Sequence, residues 1–244
     1  MGFSKVVRFK EEKRSRIVLA LDPIGIAHEK VIEWSYKILK ELEGIVSGVK
    51  IGLPLILRVG LNHVGNIIDE FKDSYFWIAD LKLADVAHIL TDIAEMLHNI
   101  GFDAVISHLF TGREGSLNEL SEKCKELDLG LLGVLVMSHK GANDLFSKTY
   151  EDLLSIALDV DVDGFILPAT MPFYIRRTRE VIGWSKIIFA PGVGAQGASP
   201  GDAIRNGADF EIIGRAITFS ENPKITTLKI AKIHEEVLGS CTGK

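Results

Sequence analysis

The sequence predicts a (β/α)8 barrel, an α/β TIM-barrel fold with residues 1–244 in a single domain. Three observations carry this. Short apolar runs alternate with amphipathic stretches along the whole chain, about eight times at roughly 30 residues per unit. The apolar runs are nearly continuous, as expected of strands buried on both faces of a parallel sheet. A length of 244 residues suits one barrel, and no Pro/Ser-rich linker, composition shift or low-complexity tract divides it. An open doubly wound sheet uses similar units and is the alternative architecture.

The elements follow in order. Residues 17–22 (IVLALD) read as the first strand, and 29–43 as a helix, with Val31, Ile32, Trp34, Ile38, Leu39 and Leu42 at helical spacing. Strand 48–53 precedes one helical segment over 54–71. Strand 75–82 leads to a helix at 86–100 that stops at Gly101. Strand 103–109 is followed by helix 116–127, strand 131–137 by a loop and helix 149–159, and strand 164–168 by helix 172–183. Strand 186–190 runs into a glycine-rich loop and a short helix at 200–206, and strand 210–214 precedes the last helix, 223–238. Residues 1–15 are expected to form a peripheral segment.

Composition narrows the function classes. Net charge is -5, so no basic excess is available for a nucleic-acid backbone. The N-terminus, MGFSKVVRFKEEKRSR, lacks the apolar core of a signal peptide, and no run of about 18 apolar residues occurs. Two cysteines, Cys124 and Cys241, make neither a disulfide framework nor a zinc site. Reduced thiols in a cytoplasmic protein are the expectation.

Barrel enzymes place their chemistry at the C-terminal ends of the strands. The polar residues there are Asp22 on strand 1, Lys50 on strand 2, Asp80 and Lys82 on strand 3 with Asp85 just beyond, Ser107 and His108 on strand 4, and Ser138 and His139 on strand 5. Asp80 and Lys82 are two apart, so on a strand both point to one side. If that side is the barrel mouth, Asp22, Lys50, Asp80 and Lys82 converge. A lysine between carboxylates stays an ammonium, and so serves as a proton donor rather than an imine-forming nucleophile. The competing reading is an ordinary surface salt bridge.

After strand 7 comes Pro191-Gly192-Val193-Gly194-Ala195-Gln196-Gly197, and strand 8 ends in Gly214-Arg215. Glycines let backbone N–H groups approach an anion, and the last two loops of a barrel often hold phosphate. Gln196 can donate from its amide and Arg215 can grip phosphate in a bidentate pair. The histidines form no metal-spaced cluster. His63, His88, His98 and His234 read as helical, and His108 and His139 as satisfied structural residues. Met137 and Phe110 read as core or cavity wall.

Taken together, Leu21-Asp22, Val49-Lys50-Ile51-Gly52, Asp80-x-Lys82-x-x-Asp85, Met137-Ser138-His139, the PGVGAQG loop and Gly214-Arg215 resemble the orotidine 5'-phosphate decarboxylase family, in the right order from strand 1 to strand 8. The resemblance implies a cytoplasmic homodimer with active sites at the interface, converting orotidine 5'-phosphate to UMP in pyrimidine biosynthesis without cofactor or metal. It implies Lys82 as proton donor to C6, Asp80 beside the substrate carboxylate, and Lys50 and Asp22 on the ribose hydroxyls. Asp85 would come from the partner subunit, and Ser138 would bond the pyrimidine edge. Gln196 and Arg215, with backbone around Pro191, Val193, Gly194 and Gly214, would hold the phosphate. The loops after Ser138 and Pro191 would be lids.

The family usually has Ile after the second Asp of the box and Thr three residues on, where this chain has Val86 and Ile89. A sister group of magnesium-dependent enzymes, the 3-keto-L-gulonate 6-phosphate decarboxylases and hexulose phosphate synthases, resembles the same box, and the run from Ala84 to Leu90 is similar to theirs. Those enzymes have Glu where this chain has Lys50, and an ammonium cannot ligate Mg2+. They also lack the Gln-containing loop. A barrel that only senses a phosphorylated metabolite is the third reading; it has no need of both Lys50 and Lys82 among carboxylates.

Overall fold

The computed structural model describes residues 2–12 and 15–241, with the side chain of Cys241 outside the described set. Eight strands close into a barrel in sequence order, every neighbouring pair parallel. They are β1 (Ile17–Ala20), β2 (Gly48–Gly52), β3 (Phe76–Leu83), β4 (Ala104–His108), β5 (Gly130–Val134), β6 (Gly164–Ile166), β7 (Ile187–Pro191) and β8 (Phe210–Ile213). Except at the far end of β3, and at His108 and Pro191, their residues are buried, which is why they read as unbroken apolar runs.

The helices are α1 (Phe3–Glu11), α2 (Val31–Leu42), α3 (Leu53–Val59), α4 (Leu61–Glu70), α5 (Ala87–Ile100), α6 (Asn118–Glu126), α7 (Tyr150–Asp159), α8 (Pro172–Ile182), α9 (Asp202–Arg205), α10 (Arg215–Thr218) and α11 (Pro223–Cys241). The expected single helix over 54–71 is two, because Gly60 adopts φ 77°, ψ 159°, which no helix can continue through. Gly101 ends α5 as expected, in a left-handed conformation with its N–H bonded to His98 O.

The N-terminal segment is not peripheral. α1 buries Val6 and Phe9 completely. Phe9 joins Phe76, Phe210 and Phe189 inside the barrel, with ring centroids of successive neighbours 5.9, 5.3 and 5.2 Å apart. Its Lys5 forms a buried ion pair with Asp103 at 3.2 Å. Polarity hid this helix, whose apolar residues are Phe3, Val6, Val7 and Phe9. Gly48 belongs to the same layer, since a Cβ there would lie 2.2 Å from the Phe76 ring. The aromatic plug fills the barrel's lower half and leaves the upper half for a cavity.

Candidate active site

The cavity has a volume of about 460 Å3 and opens at the C-terminal ends of the strands. Its lower wall is apolar, with Ile106, Val134, Ile166 and Ile212 from β4, β5, β6 and β8. β1, β2 and β3 bring charge: Lys50 Nζ lies 2.9 Å from Asp80 Oδ2 and 3.6 Å from Asp22 Oδ2, and Lys82 Nζ donates to Asp80 Oδ1 at 2.7 Å. Asp80 thus divides its two oxygens between two ammonium groups. Asp22 helps line the cavity, and its Oδ1 is buried with no hydrogen-bond partner.

Burial alone would strip the proton from Lys50, but the Asp80 and Asp22 carboxylates outweigh it and hold the ammonium above its ordinary range. Burial likewise pushes Asp80 toward the neutral acid; Lys50 and Lys82 outweigh that and hold it below the usual carboxylate value. Lys50 and Asp80 are thus both held in their charged forms, each against the other.

The strand geometry is less regular than simple alternation predicts. Pairing of β3 with β4 slips between Ala79 and Leu83, and Lys82 has φ 47°, in the left-handed region. That conformation costs a non-glycine residue about 1–2 kcal/mol, and here it turns the Lys82 side chain onto Asp80.

β7 and β8 supply the other wall. Pro191, Gly192, Val193, Ala195 and Gln196 line the cavity, as do Gly214 and Arg215 at the start of α10. The loop folds on itself through Gly194 N to Ala198 O at 2.8 Å and Gly197 N to Gly194 O at 2.9 Å. Gly192, Gly194 and Gly197 all have positive φ. Gly194 does not line the cavity. It packs on α10, where a Cβ would lie 2.6 Å from the Ala216 Cβ. Met137 and Ser138 complete the lining from the β5 side.

Asp85 stands apart: it is exposed, lies outside this lining, and its Oδ1 accepts from Val86 N at 2.7 Å. Phe110 is half exposed rather than core, and its ring packs on His108 at 4.9 Å. His108 is not satisfied, because its buried Nδ1 has no partner. Burial, reinforced by the Lys82 charge, pulls its pKa down. Sequence reasoning passed over the apolar lower wall, although Ile106, Val134, Ile166 and Ile212 sit on apolar strands whose inward faces could have been read from the period of two. It also passed over α10, whose four residues are too few for a periodic signal. Among the described residues, no group of three or more His, Cys, Asp or Glu could hold a metal ion, and no helix is long and apolar enough to cross a membrane.

Known proteins carry the same architecture. A decarboxylase of Sulfurisphaera tokodaii, named orotidine 5'-phosphate decarboxylase, is 44% identical over 83% of this chain and 92% of its own length. The crystal structure of orotidine 5'-monophosphate decarboxylase from Sulfolobus solfataricus superposes with a TM-score of 0.81 at 33% identity, covering 92% of this chain and all (100%) of that one. The enzyme of the same name from Methanocaldococcus jannaschii, solved with the inhibitor BMP, gives a TM-score of 0.78 at 26% identity over 90% of this chain and 98% of that one. The sequence profile of the orotidine 5'-phosphate decarboxylase / HUMPS family matches residues 15–230, and this chain belongs to that family.

Proposed function

We propose that the protein decarboxylates orotidine 5'-phosphate to UMP, in pyrimidine biosynthesis and in the cytoplasm. The observation that carries this is Lys82 held at 2.7 Å on an Asp80 that also binds Lys50, at the mouth of a cavity whose other wall is the Gln196 loop and Arg215. Loss of carbon dioxide from C6 leaves an electron pair that the ring cannot delocalise, so the barrier is high. Lowering it by roughly 15–23 kcal/mol requires charge fixed in advance. The Lys82 ammonium stabilises the pair as the C6–carboxylate bond breaks, then gives its proton to C6. Asp80 keeps Lys82 aimed and stands against the departing carboxylate. Lys50 and Asp22 take the ribose hydroxyls, and Ser138 takes the pyrimidine edge. Gln196, Arg215 and the loop backbone from Pro191 through Val193, with Gly214, take the phosphate. Its binding energy is spent on holding the reacting ring in place.

The working unit in this reading is a homodimer. Asp85 is exposed and outside its own cavity lining, and Val86 and Ile89 beside it are 50% and 38% exposed. A second copy covering this rim would bury both apolar side chains and receive Asp85 into its charge array. No metal is required: the Lys50 ammonium lies between Asp22 and Asp80 and, as a cation, cannot ligate Mg2+. That favours the orotidine enzyme over the magnesium-dependent members of the family.

The test is loss of orotate absorbance when purified protein, treated with a chelator, meets orotidine 5'-phosphate. Chelator-insensitive turnover is expected. No turnover, or turnover restored only by Mg2+, overturns the reading. Arg215→Ala should raise KM for the phosphorylated substrate by tenfold or more, on the order of one lost charge-assisted bond; an unchanged KM removes Arg215 from the phosphate seat.

A further inference from the structure

We propose that the buried pair Glu211–His234 is a positioning device for the glycine-rich loop, fixing its distal end so that its cavity end is presented to phosphate. The proposal rests on the decarboxylase reading above. Glu211 lies in β8 between Phe210 and Ile212, which face into the barrel, so its side chain faces outward to the helices. It is 0% exposed. A carboxylate there is an expensive choice, since an apolar residue would fill a strand–helix interface without any desolvation penalty.

The hydrogen bonds account for its presence. Glu211 accepts Gly201 N on both oxygens at 3.0 Å, Ala203 N on Oε1 at 3.0 Å, and His234 Nε2 on Oε2 at 2.7 Å. Gly201 ends the loop and begins the turn into α9. Its φ is 86°, and a Cβ there would meet Ile233 Cγ2 and Val237 Cγ2 at 3.1 Å, so the chain is pressed onto α11 beside His234. The proximal end is held separately, by Ala169 N on Pro191 O at 2.7 Å. Residues 191–201 are therefore pinned at both ends. The strand that holds the distal pin runs directly into Gly214-Arg215, so β8 sets the loop and the arginine in one frame. His234 contributes through Nε2 alone, for its buried Nδ1 has no partner.

Neither residue touches the cavity, so the pair acts through the loop. The experiment compares turnover of orotidine 5'-phosphate with that of orotidine, the same nucleoside without phosphate, in His234→Phe and His234→Gln. His234→Phe keeps a ring and loses the donor; His234→Gln restores a donor. His234→Phe should lower kcat/KM for the phosphorylated substrate by roughly tenfold to a hundredfold, mostly through KM. Its kcat/KM for orotidine should stay within about twofold of the unmodified enzyme, and His234→Gln should recover most of the loss. Should His234→Phe fail to fold, Glu211→Gln gives the same comparison, because its amide keeps one acceptor and gives up the other. Equal losses on both substrates, or no loss in a folded variant, overturn the proposal. Absence of any turnover by the unmodified protein overturns the decarboxylase reading instead, and the positioning role with it.

Discussion

Lys82 reaches Asp80 across 2.7 Å from a backbone held at φ 47°, within a strand whose pairing slips at that point. The conformation is one that a lysine has no intrinsic reason to adopt, and strain of this kind persists only where surrounding structure imposes it. Its consequence for mutagenesis is specific. Lys82→Ala and Lys82→Gly should both abolish decarboxylation with the barrel intact. Glycine in a strand is ordinarily less stable than alanine, but here it escapes the left-handed penalty. Lys82→Gly should therefore be at least as stable as Lys82→Ala, by up to about 1 kcal/mol. Denaturant titration of the two inactive proteins measures the order; alanine ahead by its usual margin would mean that residue 82 is unstrained. Near-normal turnover in either would remove Lys82 from the chemistry.

A second prediction concerns a glycine outside the cavity. Gly194 has φ 74°, and a side chain there would collide with Ala216 one residue beyond Arg215. Gly194→Ala must either move α10 or flatten the loop, and both displace the phosphate seat. KM should rise at least about tenfold with a smaller change in kcat, because a displacement near 1 Å is enough to cost up to a hundredfold. Gly44, equally left-handed at φ 76° with open space around it, is the control: Gly44→Ala pays the backbone strain alone and should leave kinetics unchanged.

The pH profile starts from the two shifted groups of the ion-pair array. Lys50 is raised, so its attraction to Asp80 and Asp22 is fully present below the ordinary lysine value of 10.5 and is lost only as pH climbs through a still higher one. Asp80 is lowered, so its contribution is present above 3.8 and is lost only as pH falls through a lower one. Neither titrates near neutrality. His108, pulled below the ordinary imidazole value, is the protein group that titrates on the acid side; an acid limb in kcat/KM near pH 6 should nevertheless belong to the substrate's phosphate monoester, whose second pKa is about 6. Profiles for orotidine 5'-phosphate and orotidine decide this: the limb should vanish without the phosphate. Its persistence would assign it to the protein.

The barrel was legible because burial on both faces makes each strand a run of apolar letters, and apart from Glu211 the charged residues interrupt those runs toward their C-terminal ends. Asp22, Lys50, Asp80 and Lys82 could be brought together from order alone once the barrel was drawn. What stayed hidden had no periodic signature. The break at Gly60 depends on one residue's φ, the plug formed by α1 on four apolar residues in a basic stretch. The Glu211–His234 contact joins positions 23 residues apart that no spacing rule connects; a lone carboxylate inside the strand FEII was its single trace.

The floor of the barrel offers the sharpest stability test. Lys5 and Asp103 are 4% and 2% exposed and 3.2 Å apart. Burial pushes the Asp103 carboxyl up to about 6, against the pull of Lys5 and the Trp77 N–H, and drags Lys5 down. A carboxyl raised on folding favours the folded state below its unfolded value, and that advantage is lost as pH rises through about 6. Lys5→Met leaves Asp103 alone in an apolar site and should cost about 3–5 kcal/mol at pH 8. At pH 5 the carboxyl can take a proton, and the penalty should shrink by at least about 1 kcal/mol. Adding Asp103→Asn should recover most of the loss at either pH, because the amide oxygen still accepts from Trp77 N and no charge remains to bury. Denaturant unfolding of the single and double variants at both pH values provides the check, and a Lys5→Met penalty that ignores pH would show that Asp103 stays ionised at the floor.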